Sequence, residues 1–491
     1  MTGSFLHYED FGAAGDGFRN DLAAIVRCHE EANRLRIPVR AKDGAVYYLG
    51  GGAGTARIMT DVDFGTARFI IDDREPEDLT ADVFEVVPET EPYSPAIASL
   101  MRGDERVDFP HEGRVYLRVW SDEKKIFIRK GLNRNGGVDP SDCLLVDGDG
   151  RILTKIDWDH PHVVKTLAKS AEDPPITVRG GVFETIANRH ESVYRYHSRG
   201  IRITRSNVTV RDLTHLVRGE GDHGAPYGGF LSIDEAADVT VRNVLLTPHF
   251  TYWTESQIPG EKVPMGSYEI NCTATIASRF YDVHQTIDIM DSRYWGLMGS
   301  NYCKEMLFED CVMSRFDAHM GVTDATIRRS VLGHMCLNLI GHGDFLVEDT
   351  DAFGAAVINL RGDYGSSFEG TVTIRRVIWR PKGTALSVIA ADNTGDHDFG
   401  YPCFMPERVT IEGLTVKDRE IVCDKELTIL PDYDAGFRPG KPFAYRTTKT
   451  LAVSDVTCES GRKWKTAERP EEYPDLRVET DGSRRRKSGD L

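Results

Sequence analysis

The sequence predicts an all-β molecule built as a stack of repeated coils, and three observations predict it. First, an apolar-Thr-apolar pattern closed by a further apolar side chain recurs as Val208-Thr209-Val210-Arg211-Asp212-Leu213, Val239-Thr240-Val241-Arg242-Asn243-Val244, Val372-Thr373-Ile374-Arg375-Arg376-Val377 and Val409-Thr410-Ile411-Glu412-Gly413-Leu414. Looser copies run from Ile176 to Val182, Ser278 to Val283, Leu307 to Cys311, Thr326 to Val331, Leu346 to Thr350 and Leu451 to Val456. Second, each copy alternates like a half-buried strand and is too short for a helix. Third, copies recur every 20 to 40 residues or so, the interval of stacked units that cannot bury their apolar faces alone.

The elements follow in chain order. Residues 10–25 read Asp-Phe-Gly-Ala-Ala-Gly-Asp-Gly-Phe-Arg-Asn-Asp-Leu-Ala-Ala-Ile, a glycine-punctuated turn entering an amphipathic helix. Leu22, Ile25 and Val26 share one face of that helix, Ala24 lies nearby, and Asp21 is placed to cap its start. With Asp10-Phe11-Gly12-Ala13, Gly15-Asp16-Gly17 and Ala23-Ala24-Ile25 in place, this segment resembles the opening of the pectate-lyase-like superfamily. It departs at Asn20, where a second Asp is usual, and at Asp43-Gly44, where Pro-x-Gly is usual. The resemblance implies a right-handed parallel β-helix whose open end is plugged by an N-terminal helical cap, which covers unpaired strand edges. That superfamily includes lyases, hydrolases, epimerases, and viral and adhesive proteins, so it implies a fold and not a reaction.

Residues 1–74 are thus expected to form the cap and first coil. Between 75 and 172 the repeat is lost. Arg114 to Trp120 and Lys125 to Arg129 alternate as two strands, followed by Cys143-Leu144-Leu145-Val146 and by Asp147-Gly148-Asp149-Gly150, which reads as a hairpin turn. A calcium loop would need further ligand positions that are missing here. This span is expected to be a small inserted β-domain, with the β-helix over 173–460 and a polar C-terminal tail over 461–491. The basic run Arg484 to Lys487 reads as solvated tail.

A formal net charge of −17 over 491 residues argues against nucleic acid or an anionic membrane as main partner. No uncharged apolar stretch approaches the length of a membrane span. The first ten residues have no basic start and no apolar run, which predicts a cytoplasmic protein without a signal peptide. Nine cysteines without metal spacing fit reduced thiols, with Cys272, Cys311 and Cys336 in apolar strand contexts.

Corresponding positions of stacked coils lie one strand spacing apart, so charged residues that align between coils become neighbours. Ser292-Arg293-Tyr294-Trp295-Gly296-Leu297-Met298-Gly299 and Ser314-Arg315-Phe316-Asp317-Ala318-His319-Met320-Gly321 match as Ser-Arg-aromatic-x-x-x-Met-Gly. Aligning Gly341 with Gly362 sets Asn338 beside Asn359 and Ile340 beside Arg361. Parity decides which of these side chains face out. Trp295, Asp317 and His319 are expected outward, with Gly296 and Ala318 inward, because an unpaired buried carboxylate is costly.

Two carboxyls on such a face suit glycoside hydrolysis, one as acid and one as base or nucleophile. Asp317 and Asp291 are the expected catalytic pair, with His319 auxiliary. Expected substrate contacts are Arg315, Arg361, Asp363, Trp295, Tyr294, Asp288, His223, Glu269 and His342: rings for stacking on sugars, and cations for a carboxylated one. The turns 219–227 and 266–271 are placed to close around the same face, and a third, around His397, is a weaker candidate.

A polysaccharide lyase or uronate epimerase is the alternative, with His319 and Tyr364 as base and acid and an arginine neutralising the uronate. No cofactor is expected for a hydrolase, and calcium enters only under the lyase reading. A non-catalytic carbohydrate-binding solenoid is the third reading. The expected partner in each case is an oligosaccharide, and association of identical copies stays open.

Overall fold

A computed structural model describes residues 5–52, 54–128, 136–191, 196–255, 260, 262–384, 386–391, 399–432 and 446–480. The chain divides into two compact units, residues 1–121 with 141–299, and residues 122–140 with 300–491. Each is built on parallel coils of a right-handed β-helix.

In the first unit the repeated pattern sets the register. Thr209-Val210-Arg211 pairs with Thr240-Val241-Arg242, which pairs with Arg279-Phe280-Tyr281. Val178, Val210, Val241 and Phe280 therefore form an inward column at 0% exposure. Each such side chain contributes about 1.5–3 kcal/mol by leaving water. The fifth position of the pattern is a corner. Asp212, Asn243 and Asp282 there adopt left-handed φ values of 58°, 51° and 51°, a conformation that Asn and Asp tolerate better than other residues with a Cβ. Asn243 Nδ2 also donates to Asp212 Oδ1 at 2.7 Å, tying one corner to the next.

The helix Leu22–Leu35 buries Leu22, Ala24, Ile25, Cys28, His29 and Ala32. Its capping differs from expectation. The Asp21 carboxylate accepts from the Ala14 and Gly15 N–H groups, fastening the glycine turn, while Asn20 Oδ1 takes the Leu22 N–H.

The coil stack runs further than the expected boundary at 74. Phe84–Val86 pairs in parallel with Ala56–Ile58 and with Ile201–Ile203. After it comes an antiparallel sheet with Val115–Ser121 between Ser141–Val146 and Val163–Ser170. Leu100, Phe109, Leu117, Val119, Leu144 and Ala168 pack in its core. Asp147 closes a hairpin turn there, its Oδ1 accepting from the Asp149 and Arg151 N–H groups. The strand expected from Lys125 is a single bridge, Ile126 to Val138, within the second unit, and Arg129 lies outside the described residues.

In the second unit Ile327, Val347, Ile374, Ile411 and Val453 form the matching inward column. The expected tail carries strands: Trp464–Ala467 pairs with Leu427–Leu430, and Arg477–Thr480 with Thr450–Ser454. The run Arg484 to Lys487 lies outside the described residues. All nine cysteines are free thiols, buried except for half-buried Cys423. Among the described residues no helix is long and apolar enough to cross a membrane.

Candidate functional site

The strand Val312–Arg328 carries three of the expected site residues. Phe316 pairs with Leu337 and Leu337 with Ile358 in the core, while Asp317 pairs with Asn338 and Asn338 with exposed Asn359. Asp317 thus has the outward parity expected of it, and Ala318 at 0% exposure the inward one. The ladder Asn338 to Asn359 forms as expected, with Asn359 Nδ2 donating to Asn338 Oδ1 at 2.9 Å.

Asp317 is nevertheless closed off. Arg361 Nη1 reaches both of its oxygens at 2.7 and 2.6 Å, Arg315 Nη2 lies at 2.5 Å, and its exposure is 0%. In this structure the Asp317 carboxylate is thus engaged by two guanidiniums and shielded from water. Arg315 is 4% exposed. Arg361 also spends Nε and Nη2 on Asp363, and its guanidinium sits over the Tyr364 ring. His319, half-buried, bonds Asn301 Oδ1 through Nδ1 at 3.1 Å and meets the Tyr364 ring edge-on. His342 stands across the strand pair from Glu369, 3.8 Å away.

Asp291 and Asp288 belong to the first unit, where both close turns. Asp291 accepts from the Arg293 backbone and guanidinium at 3.0 Å, and Asp288 Oδ1 from the Met290 N–H at 2.9 Å. Asp317 and Asp291 thus belong to different units, each paired with arginine within its own unit. Tyr294 packs on Phe250 at 4.9 Å. Trp295 lies so close to Gly266 that a Cβ there would fall 1.8 Å from the ring, which makes it a packing residue of that turn. His397 lies outside the described residues.

The two polar turns do close on each other, within the first unit. The Tyr227 N–H donates to Ser267 Oγ at 2.6 Å, and between the turns lies a cluster of acids, imidazoles and phenols. From the core outward, Thr185 Oγ1 bonds His215 Nε2 at 3.0 Å, and His215 Nδ1 bonds Glu269 Oε2 at 3.0 Å. Glu269 Oε1 is 3.9 Å from His249 Nε2, and His249 Nδ1 is 3.2 Å from Glu220 Oε1. That same oxygen accepts from the Phe250 N–H at 3.0 Å and the Tyr252 hydroxyl at 3.2 Å. Glu269 was expected to touch substrate, but at 0% exposure it links two histidines instead. Glu220, with its side chain 9% exposed, is the outermost acid of the chain. Beyond it Asp222 stands in solvent, 2.9 Å from His223 Nδ1.

The surroundings set the charges. Burial pushes the His215 imidazole down. Burial also opposes charge on His249, but the bond to Glu220 and the nearby carboxylates of Glu269, Glu220 and Asp73 outweigh it and hold that imidazole above its ordinary value. Burial raises Asp73 to about 6 although Arg199 Nε lies 3.0 Å away. The His223 bond holds Asp222 below the usual carboxylate range.

The sequence reading passed over His215, His249, Tyr252, Asp73 and Arg199. His215 alone left a readable trace. It pairs with Phe183 and Leu246 in an inward column that begins with Tyr47 and Phe69, so it is an imidazole where the alternation asks for an apolar side chain. Among the described residues no three His, Cys, Asp or Glu side chains converge as they would on a metal ion.

No protein-family profile matches this sequence, and no curated protein matches it. Solved structures do resemble it. The tailspike gp61 of Pseudomonas phage phi297 aligns at 13% identity over 93% of this chain and 81% of its own, with a TM-score of 0.56. The Gp54 tailspike of Acinetobacter baumannii bacteriophage AP22, solved in complex with a capsular saccharide, aligns at 8% identity over 96% and 79%, with a TM-score of 0.51. At such identities the likeness is one of fold, and it extends along nearly the whole chain: this is a right-handed parallel β-helix.

Proposed function

We propose that this chain is a carbohydrate-active enzyme, a glycoside hydrolase whose reacting carboxyls are Glu220 and Asp222. The observation that carries the reading is the asymmetry of Glu220. Three donors converge on Oε1, and among the described residues none is placed against Oε2. With Oε1 held by these donors, Glu220 suits the base or nucleophile, with Oε2 turned to the reaction. Asp222, two residues along the same turn, is the acid. It is exposed and ionised in the free protein, and a sugar covering the turn would desolvate it and favour its protonated form. Chain length alone keeps the two Cα atoms within about 7 Å, compatible with the carboxyl separations of either stereochemical course. The saccharide-bound AP22 tailspike supports the reading only as an analogy of fold.

A lyase or epimerase reading draws on Arg189, whose guanidinium lies about the turn at Gly221, 3.5 Å from where a Cβ would stand. A cation there suits a uronate carboxylate, with Glu220 as the base. Incubation with a panel of neutral and acidic oligosaccharides separates the two. Hydrolysis releases reducing ends, and elimination adds the ultraviolet absorbance of an unsaturated uronate. Asp222→Asn and Glu220→Gln should each lower kcat by about 10²–10⁴-fold, the usual worth of a positioned acid or base. Full activity in both variants would remove this site from consideration.

A further inference from the structure

The first unit holds a second concave feature that shares no residue with the Glu220 turn. A cavity of about 240 Å³ opens where the strand Val163–Ser170 of the inserted sheet lies over the coil stack. On the coil-stack side it is lined by Arg57 and Glu85, which pair on neighbouring strands. Leu167 and Lys169 form the roof, and Glu91 stands at the exposed rim.

Lys169 is the unusual member. It is 5% exposed, and its Nζ donates to the Thr204 carbonyl at 2.9 Å. Its other described partners are more distant: Glu235 Oε2 at 3.9 Å, whose second oxygen already serves Arg118 at 2.9 Å, and the Tyr116 ring, whose centroid is 5.6 Å from Nζ. An ammonium group has three N–H donors, and among the described residues one acceptor, the Thr204 carbonyl, lies at hydrogen-bond distance. Burial accordingly pushes its pKa down to about 8. An anion entering the cavity would meet this group and, at the mouth, the guanidinium of Arg57.

Size and lining restrict what that anion is. Pockets for drug-sized ligands run from about 300 to 1,000 Å³, so this one admits a single sugar ring. Val87 and Leu167 offer apolar contact to ring C–H groups, while Glu85, Glu91 and Glu235 accept from hydroxyls and repel any ligand with several negative charges. We propose that the cavity is a binding site for one hexuronate residue, its carboxylate seated between Lys169 and Arg57. The occupant is a free monosaccharide or the terminal residue of a longer chain, and both present the same chemistry.

The test is calorimetric titration of the full chain with glucuronate and galacturonate, and with oligouronates to separate the two sources. Glucose and inorganic phosphate are the controls. At least one uronate, free or terminal, should bind saturably at one site, with glucose and phosphate weaker by about tenfold or more, the worth of a charge-assisted hydrogen bond. Arg57→Ala, at an exposed position, should weaken uronate binding by a similar factor, and a folded Lys169→Met should lose it. Asp222→Asn should bind as the parent does, so the hydrolase reading can fail while this site stands, and the reverse. No saturable uronate binding, equal affinity for glucose, or undiminished affinity in Arg57→Ala would overturn the proposal.

Discussion

Asp317 carries its carboxylate at 0% exposure between two guanidiniums, and those partners decide what a substitution does. Asp317→Asn keeps the shape but leaves Arg315 and Arg361 short of a counter-charge. Breaking one side of a buried pair costs about 3–5 kcal/mol. The expected outcome is a lower denaturant midpoint, with activity per folded molecule retained. A variant of parental stability and no turnover would return Asp317 to the chemistry. Its outward parity was legible because strand alternation is local. Arg361 was legible on the same ladder, but its hold on both Asp317 oxygens was not, since it depends on where two side chains 44 residues apart point. His215 makes the complementary case. Phenylalanine would match Phe183 below it in the column, yet it would leave the buried Glu269 without the Nδ1 donor. His215→Phe should therefore destabilise by about 1–3 kcal/mol or more. Glu269→Gln should recover part of that, with a coupling of about 0.5–3 kcal/mol in a double-mutant cycle. Additive losses would mean that the two residues do not act as a pair.

At the scale of elements, the N-terminal helix closes its end of the stack with a histidine that refuses a proton. His29 is 0% exposed, Nε2 lies 3.0 Å from the Tyr8 hydroxyl, and burial lowers its pKa to about 3. An unfolded histidine titrates near 6.5. Between those values the unfolded chain binds a proton that the folded chain does not. Stability from this group is therefore fully present above about 6.5 and is lost as pH falls toward 3, by at most about 1.4 kcal/mol per pH unit. His29→Phe should flatten that part of the stability profile in urea titrations at pH 4, 5, 6 and 7, and a profile parallel to the parent's would contradict it. The cap helix and the coil strands were readable because their periods differ and their corners fall on Asp or Asn. The strand Val163–Ser170 was not, since Val-Val-Lys-Thr-Leu-Ala-Lys-Ser alternates poorly and is ordered by pairing with Val115–Ser121.

Across the whole molecule, the parallel stack was legible, and what escaped were its margins, where coil strands lack the repeated pattern. Phe84–Val86 and Arg477–Thr480 are such strands, short or polar, recruited by the register of their neighbours. The C-terminal one has a consequence for the entire chain. An uncovered coil presents a row of free N–H and C=O groups that invites pairing between molecules. In this chain Arg477–Thr480 covers Thr450–Ser454 and Trp464–Ala467 covers Leu427–Leu430. The Tyr473 hydroxyl, on a side chain 3% exposed, donates to the Pro431 carbonyl at 2.7 Å, and Arg462 holds the buried Asp418 at 3.0 Å. A chain ending at residue 460 loses all of these contacts, whereas one ending at 480 keeps them. The shorter chain should melt lower than the longer one and scatter light increasingly with concentration. Equal melting of the two would mean that residues 461–480 do not stabilise the stack.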